Sequence, residues 1–250
     1  MKIKSALIAL TVAGSLTGCQ TLMDTFLVSE GEVMAMSEQA CAESDTLNKV
    51  APASSKYTKR INKIAKNLGK TTSTGVPLTY KVYLTSDVNA WAMANGCVRV
   101  YSGLMDIMTD DEVQGVLGHE IGHVALGHST KRMQTAMAAS MAIGGLTEYG
   151  GDAVSKYGGK ASKVTNQLTD KDWNTFLEDF INAQFSQSQE TASDNYSFDL
   201  LKSKKLNTMA LATAFDKLAA KGSHSNIFSS HPDANSRSQN IRNRIATEGK

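Results

Sequence analysis

The chain has 250 residues, 41% of them hydrophobic and 20% charged, with a formal net charge of +2. That length holds one sizeable domain or two small ones, and the composition excludes a disordered or fibrous chain. Two of the positive charges, Lys2 and Lys4, lie in an expected leader that carries no acid, so the remaining chain is formally neutral and offers no charge-based ground for a nucleic-acid partner.

Residues 1–18 read as a secretion signal: a positive head followed by an apolar run from Ser5 to Leu16, too short to span a bilayer. The run ends in Leu16-Thr17-Gly18-Cys19, which resembles the lipobox of bacterial lipoproteins. There the cysteine thiol accepts a diacylglyceryl group and the acylated residue becomes the new N-terminus. Several acyl chains, palmitate among them, anchor more firmly than one. Gln20, where an aspartate would retain such a protein at the inner membrane, points by the same resemblance to the outer membrane, lipid-anchored on its periplasmic side. Residues 19–29 are then the lipidated Cys19 and a tether, and 30–250 form a single domain. Of the other cysteines, Cys41 and Cys97 make an even pair in an exported chain, which reads as one disulfide.

Taken in order, Glu30 to Lys49 has the pattern of an amphipathic helix, with Val33, Met36 and Ala40 apolar. Ala51 to Ser55 breaks it, and Ser54 or Ser55 can cap a second helix that buries Tyr57, Ile61, Ile64 and Leu68 and ends at Gly69. The period then changes to that of strands, at 78–84, 90–93 and 97–101, the last two joined through Asn95-Gly96, a strong hairpin signal. Thr109 is a natural N-cap, with Asp110, Asp111 and Glu112 placed to favour the positive end of the next helix. Six glycines fall in 144–160, which reads as a mobile loop or lid. A heavily apolar helix carrying Trp173, Phe176, Phe180 and Phe185 is expected to continue through Glu190 to Leu201, followed by helices near 207–221 and 233–246. The fold class expected is α+β, mostly helical, with a small sheet packed by the helix that starts at Thr109.

That helix carries His119-Glu120-Ile121-Gly122-His123. Histidines four apart lie one turn apart on one face and can reach a single metal ion, while Glu120 leaves on an adjoining side. Its carboxylate is placed to take a proton from a water held by zinc and return it to a leaving amine. The apolar surroundings bury these groups, and buried histidines need partners. Gly115, Gly118, Gly122 and Gly127 weaken a helix against alanine, so they imply that backbone or substrate approaches closely. An open zinc site needs a third protein ligand. Glu190 can supply it, with Asp194 one turn later to hold a ligand histidine by its free N–H; Asp172, Glu178 and Asp179 compete from sequence alone. His128 falls on another part of the surface and reads as structural, His224 as solvated, and Met133, Met137 and Met141 as a core or groove stripe.

His119–His123 with Glu190-x-x-x-Asp194 resembles the HtpX and prenyl-protein-protease family of zinc metallopeptidases, the gluzincins. Asn89 to Gly96, Val98 to Leu104, and His231-Pro232 with Arg237 match further motifs of that family, in order, over roughly residues 30–245. Ser193 departs from it, standing where alanine is usual. The resemblance implies one Zn2+ per chain held by His119, His123 and Glu190, with Glu120 catalytic and Asp194 and Arg237 supporting. It implies that His231 steadies the oxyanion, and that Asn89 and the strand Cys97, Val98, Arg99, Val100 form the edge on which an extended substrate lies. The implied activity is endopeptidase action on unfolded or misfolded envelope proteins, beside other envelope quality-control partners. The alternative is a non-catalytic zinc lipoprotein acting as chaperone or assembly scaffold.

Overall fold

The computed structural model describes residues 28–137, 170–221 and 227–248. The leader with Cys19, the glycine-rich 144–160 segment, Met141 and His224 lie outside the described residues.

Helix α1, Glu30–Leu47, opens with a capping box between Ser29 and Glu32 and buries Val33, Met36, Ala40 and Cys41. The tether expected to reach Ser29 therefore ends earlier: Val28 is already buried, and its carbonyl accepts from Gln134. Helix α2, Lys56–Leu68, starts where Ser55 accepts from the Tyr57 amide, buries Ile61, Ile64 and Leu68, and stops at Gly69.

Three strands follow, β1 (Thr79–Tyr83), β2 (Ala90–Ala92) and β3 (Cys97–Tyr101), in the order β1-β3-β2. The β2–β3 hairpin turns at Gly96, whose φ of +78° suits a residue without Cβ. β1 runs parallel to β3 on the other side. This corrects the expected edge strand: β3 is central, so the Val98, Arg99 and Val100 backbones are committed to both neighbours. Among the described residues the edge strands are β1 and β2; Asn89 precedes β2, whose Ala92 carbonyl accepts from the Ser129 hydroxyl. Arg99 is buried and forks onto Asp45 of α1 at 2.8 and 2.9 Å. The Cys41–Cys97 disulfide ties the same helix to the same strand.

After a short helix α3, Ser102–Ile107, comes α4, Asp110–Ala125, with the Thr109–Glu112 capping box in place. Every residue of α4 from Glu112 to Val124 is buried. It is the central helix, flanked by α2, β2, α7 (Gln187–Ser203) and α8 (Ala210–Lys221). Its glycines explain how so much can crowd around it. A Cβ on Gly115 would stand 2.8 Å from the Leu211 backbone nitrogen, one on Gly118 2.5 Å from Ser197 Oγ, and one on Gly122 3.1 Å from the Ser193 backbone. Gly127 acts otherwise, as the turn (φ +73°) that ends α4 and starts α5 at 128–137.

The expected long helix through Phe185 is broken. Helix α6, Asp170–Asn182, stops, and α7 restarts after Ser186 forms a capping box with Gln189. Phe185 therefore sits in a short extended link. The chain closes with α9 (Ile227–Ser230) and α10 (Ala234–Glu248). Met133 and Met137 are core residues, packed with Met93, Phe176 and Phe180. No helix among the described residues is long and apolar enough to cross a membrane.

Candidate metal centre

The close approach of α4 and α7 that Gly118 and Gly122 permit puts His119, His123 and Glu190 together. His119 Nε2 and His123 Nε2 stand 3.0 Å apart, His123 Nε2 and Glu190 Oε1 3.3 Å, and His119 Nε2 and Glu190 Oε2 3.5 Å. A tetrahedral ion with bonds of 2.0–2.1 Å needs donor atoms about 3.3 Å apart, so this triangle has the dimensions of three ligand positions. All three residues are almost completely buried.

The chemistry of the donors fits a cation as well as the spacing does. Two imidazole nitrogens that face each other need either a proton on one or a shared cation between them. The opposite ring nitrogens decide which. His119 Nδ1 lies 2.8 Å from Asp194 Oδ1, and His123 Nδ1 lies 3.1 Å from His128 Nδ1. With the ring protons on those outer nitrogens, both Nε2 lone pairs point inward. Burial pushes the His123 imidazole well below its ordinary pKa, which keeps it neutral. Burial acts to raise the Glu190 carboxyl, but the His231, His119 and His123 imidazoles around it prevail and hold it well below the usual carboxylate range.

Asp194 is fixed in turn. Arg237 Nη2 donates to its Oδ1 at 2.6 Å and Nε to its Oδ2 at 2.8 Å, while Nη1 bonds Glu190. The guanidinium rests over the Phe215 ring at 4.2 Å. One arginine thus sets a ligand and the residue that orients another ligand. Arg237 from α10, Asp194 and Glu190 from α7 and the histidines of α4 converge as the sequence motifs implied. Glu178 and Asp179, rivals for the third position, face solvent on α6; the Asp172 side chain lies outside those described.

Glu120, between the histidines, is buried and turned to the same side. Its Oε1 has no hydrogen-bond partner. A cavity of about 10 Å³, close to the size of one water, lies among Val116, His119, Glu120, His231 and Arg237. A buried carboxylate oxygen free of hydrogen bonds, 3.5 Å from His231 Nε2 and beside a water-sized space, is placed as a general base requires.

His231 stands between the ligand cluster and Glu120. Its Nδ1 lies 3.1 Å from His119 Nε2 and 3.0 Å from Glu190 Oε1, while its Nε2 lies 3.5 Å from Glu120 Oε1 on the wall of the water-sized cavity. His119, His123, Glu190 and His231 together offer four donor atoms within 4.8 Å of one another. The sequence motif located this histidine but not the corner it occupies.

Three neighbours were missed. Phe185 stacks on His123 at 3.7 Å between ring centroids, nearly parallel. The His128 and His123 Nδ1 atoms are within hydrogen-bond distance, and the hydroxyl of the unusual Ser193 reaches His128 at 3.3 Å. His128 is thus structural as expected, but it braces a ligand because Gly127 turns the chain back. The third is Arg132, whose guanidinium lies 4.3 Å from the Phe185 ring centroid. The Phe185 contact depends on a break in the helix that apolar periodicity conceals, whereas the capping pair Ser186 and Gln189 was a readable signal.

Residues 55–245 match the model of peptidase family M48. Metalloprotease LoiP of Escherichia coli is 43% identical, with 100% of this chain and 99% of the relative covered. Metalloprotease YcaL of the same organism is 46% identical, with 99% of each chain covered. Protease HtpX of Haemophilus ducreyi matches only 58 residues, at 43% identity. With its buried His-His-Glu-His cluster and these full-length relatives, the chain belongs to peptidase family M48 and is a metalloprotease.

Proposed function

We propose that the chain is a zinc-dependent endopeptidase that hydrolyses misfolded or damaged envelope proteins, held by acylated Cys19 on the periplasmic side of the outer membrane. The observation that carries the catalytic part is the triangle of His119, His123 and Glu190 with Glu120 Oε1, free of hydrogen bonds, beside it. Donors of mixed imidazole and carboxylate type at that spacing suit zinc. Zinc bound there would acidify a water and polarise the scissile carbonyl. Glu120 takes the proton from the attacking water and passes it to the leaving amine. An extended substrate pairs with the outer side of β2, an edge strand packed against α4.

The test is zinc content measured beside hydrolysis of unfolded casein. Wild type is expected to hold one zinc and to lose activity to a chelator, whereas Glu120→Ala keeps the zinc and loses hydrolysis. Full activity in Glu120→Ala refutes the mechanism. Stoichiometric zinc in a wild type that never turns over would support the scaffold alternative. The location rests on the leader and its lipobox, and the Cys19→Ala protein is expected to leave the membrane fraction.

A second reading follows from the His231 position. His231 Nδ1, 3.1 Å from His119 Nε2 and 3.0 Å from Glu190 Oε1, would be in reach of a bound ion as a fourth ligand, and it would then have to withdraw to admit water and substrate.

A further inference from the structure

A cavity of about 340 Å³ opens between α5 and α6, outside the metal cluster. His128, Phe180, Phe185 and Gln189 are in its wall, with Arg132 against the two phenylalanines. Most of the lining is apolar, and its one inward charge is Arg132.

That arginine is incompletely satisfied. Its Nη2 donates to the Ile181 carbonyl at 2.9 Å, and its charge lies over the Phe180 and Phe185 rings, at 4.7 and 4.3 Å. The residue is half-buried, its Nε is enclosed with no hydrogen-bond partner, and no carboxylate among the described residues pairs with it. Buried cations are ordinarily paired, because water that would stabilise them has been removed. Two other charges line the cavity, Lys131 and Asp179, but both are exposed and of opposite sign, so solvent screens them and they nearly cancel. The inner wall remains positive.

The cavity also adjoins the reacting centre. Phe185 touches both the guanidinium and the His123 ring, which places the Arg132 charge within about 8 Å of that ligand ring. An extended peptide advances about 3.3–3.6 Å per residue, so this distance corresponds to two or three positions along a substrate.

We infer that this cavity is a substrate subsite in which Arg132 receives a carboxylate, either an aspartate or glutamate side chain near the cleaved bond or the terminal carboxylate of a peptide. The inference rests on the endopeptidase reading above and adds a substrate preference to it. Arg132 receives the carboxylate on its terminal nitrogens, Nη2 keeping one N–H for the Ile181 carbonyl, a fork for which guanidinium is suited. The apolar walls take the methylene stem, and the Gln189 amide can donate to an oxygen left over.

Binding decides the matter independently of turnover. The full-length, zinc-loaded Glu120→Gln protein is titrated into fluorescein-labelled decapeptides by anisotropy. One carries a single central Glu and an amidated end, its twin carries Gln, and a third uncharged peptide is compared as free acid and amide. A side-chain carboxylate is the natural ligand if Glu binds about tenfold or more tighter than Gln, the low end for a hydrogen bond to a charged group. The terminal carboxylate is the ligand if the free acid outbinds its amide by that factor. Either preference must disappear when Arg132→Gln is added. Neither preference in the starting protein overturns the proposal, and so does a preference that survives Arg132→Gln. Should Arg132→Gln melt early, Arg132→Lys replaces it; Lys keeps the charge without the fork, so the preference is expected to shrink, and an undiminished one overturns the assignment. Failure of the endopeptidase reading shows elsewhere, as a wild type without chelator-sensitive casein hydrolysis.

Discussion

His119 Nδ1 and Asp194 Oδ1 stand 2.8 Å apart, and Arg237 grips both oxygens of that aspartate. Burial alone would raise the Asp194 carboxyl, but the Arg237 bonds prevail and hold it below its ordinary value. The aspartate is therefore a fixed anion behind a metal-facing imidazole, and it sets which nitrogen of His119 carries the proton.

Asp194→Asn keeps the shape but removes the charge, leaving Arg237 with Glu190 as its remaining anion. Zinc affinity is expected to fall about 10–100-fold, with proteolysis falling in step at limiting zinc. Competition against a chelating dye measures it. An unchanged affinity would show that Asp194 serves Arg237 and not the metal.

His231→Ala separates the two roles considered for this residue. If His231 fills the fourth corner of a resting site, its removal lowers zinc affinity roughly tenfold and raises the rate on a short peptide at saturating zinc. If it steadies the oxyanion, the variant keeps its zinc and loses rate. The first outcome is expected, because His231 Nδ1 is 3.0 Å from Glu190 and 3.1 Å from His119 Nε2.

Local signals carried much of this structure. Thr109 with Glu112, Ser55, and Asn95-Gly96 act through neighbours in the chain, so their caps and turn were readable from sequence. His119 and His123 share one helix, and their spacing alone fixes their common side, with Glu120 on the adjoining one. The order of the strands was not readable in this way. Placing β3 in the centre depends on its parallel pairing with β1, a contact that no turn residue encodes. Arg99 looked like a substrate contact because strand periodicity says nothing of Asp45 on a distant helix. The corner taken by His231 and the Arg132 cavity likewise arise only where remote segments meet.

The glycines of α4 give a sharper test of packing. Gly118→Ala sets a methyl 2.5 Å from the Ser197 hydroxyl, whereas Gly115→Ala sets one 2.8 Å from the Leu211 backbone. Each is expected to destabilise the fold by about 1–3 kcal/mol, as overpacking does, despite alanine's better helix propensity. Ser197→Gly is expected to relieve Gly118→Ala in part, since it removes the clashing atom. No side-chain deletion at Leu211 should relieve Gly115→Ala. Urea midpoints of the two double variants measure the difference, and equal rescue at both sites would contradict the contacts described.

Asp45 predicts how the N-terminal helix responds to acid. Its partly buried carboxyl would be raised by that burial, but bonds from Arg99, Lys81 and Tyr83 hold it below the ordinary aspartate value. A depressed folded pKa means the ion pair contributes stability above the unfolded value of about 3.9 and loses it as pH falls through the folded one. Asp45→Asn should therefore lower the melting temperature at pH 7, and the gap from wild type should close as pH falls below about 4. The Cys41–Cys97 link holds the same helix to β3, so the gap should widen when both proteins are reduced. If the gap between wild type and Asp45→Asn stays constant from pH 7 to pH 3, Arg99 is not paired with an ionised Asp45.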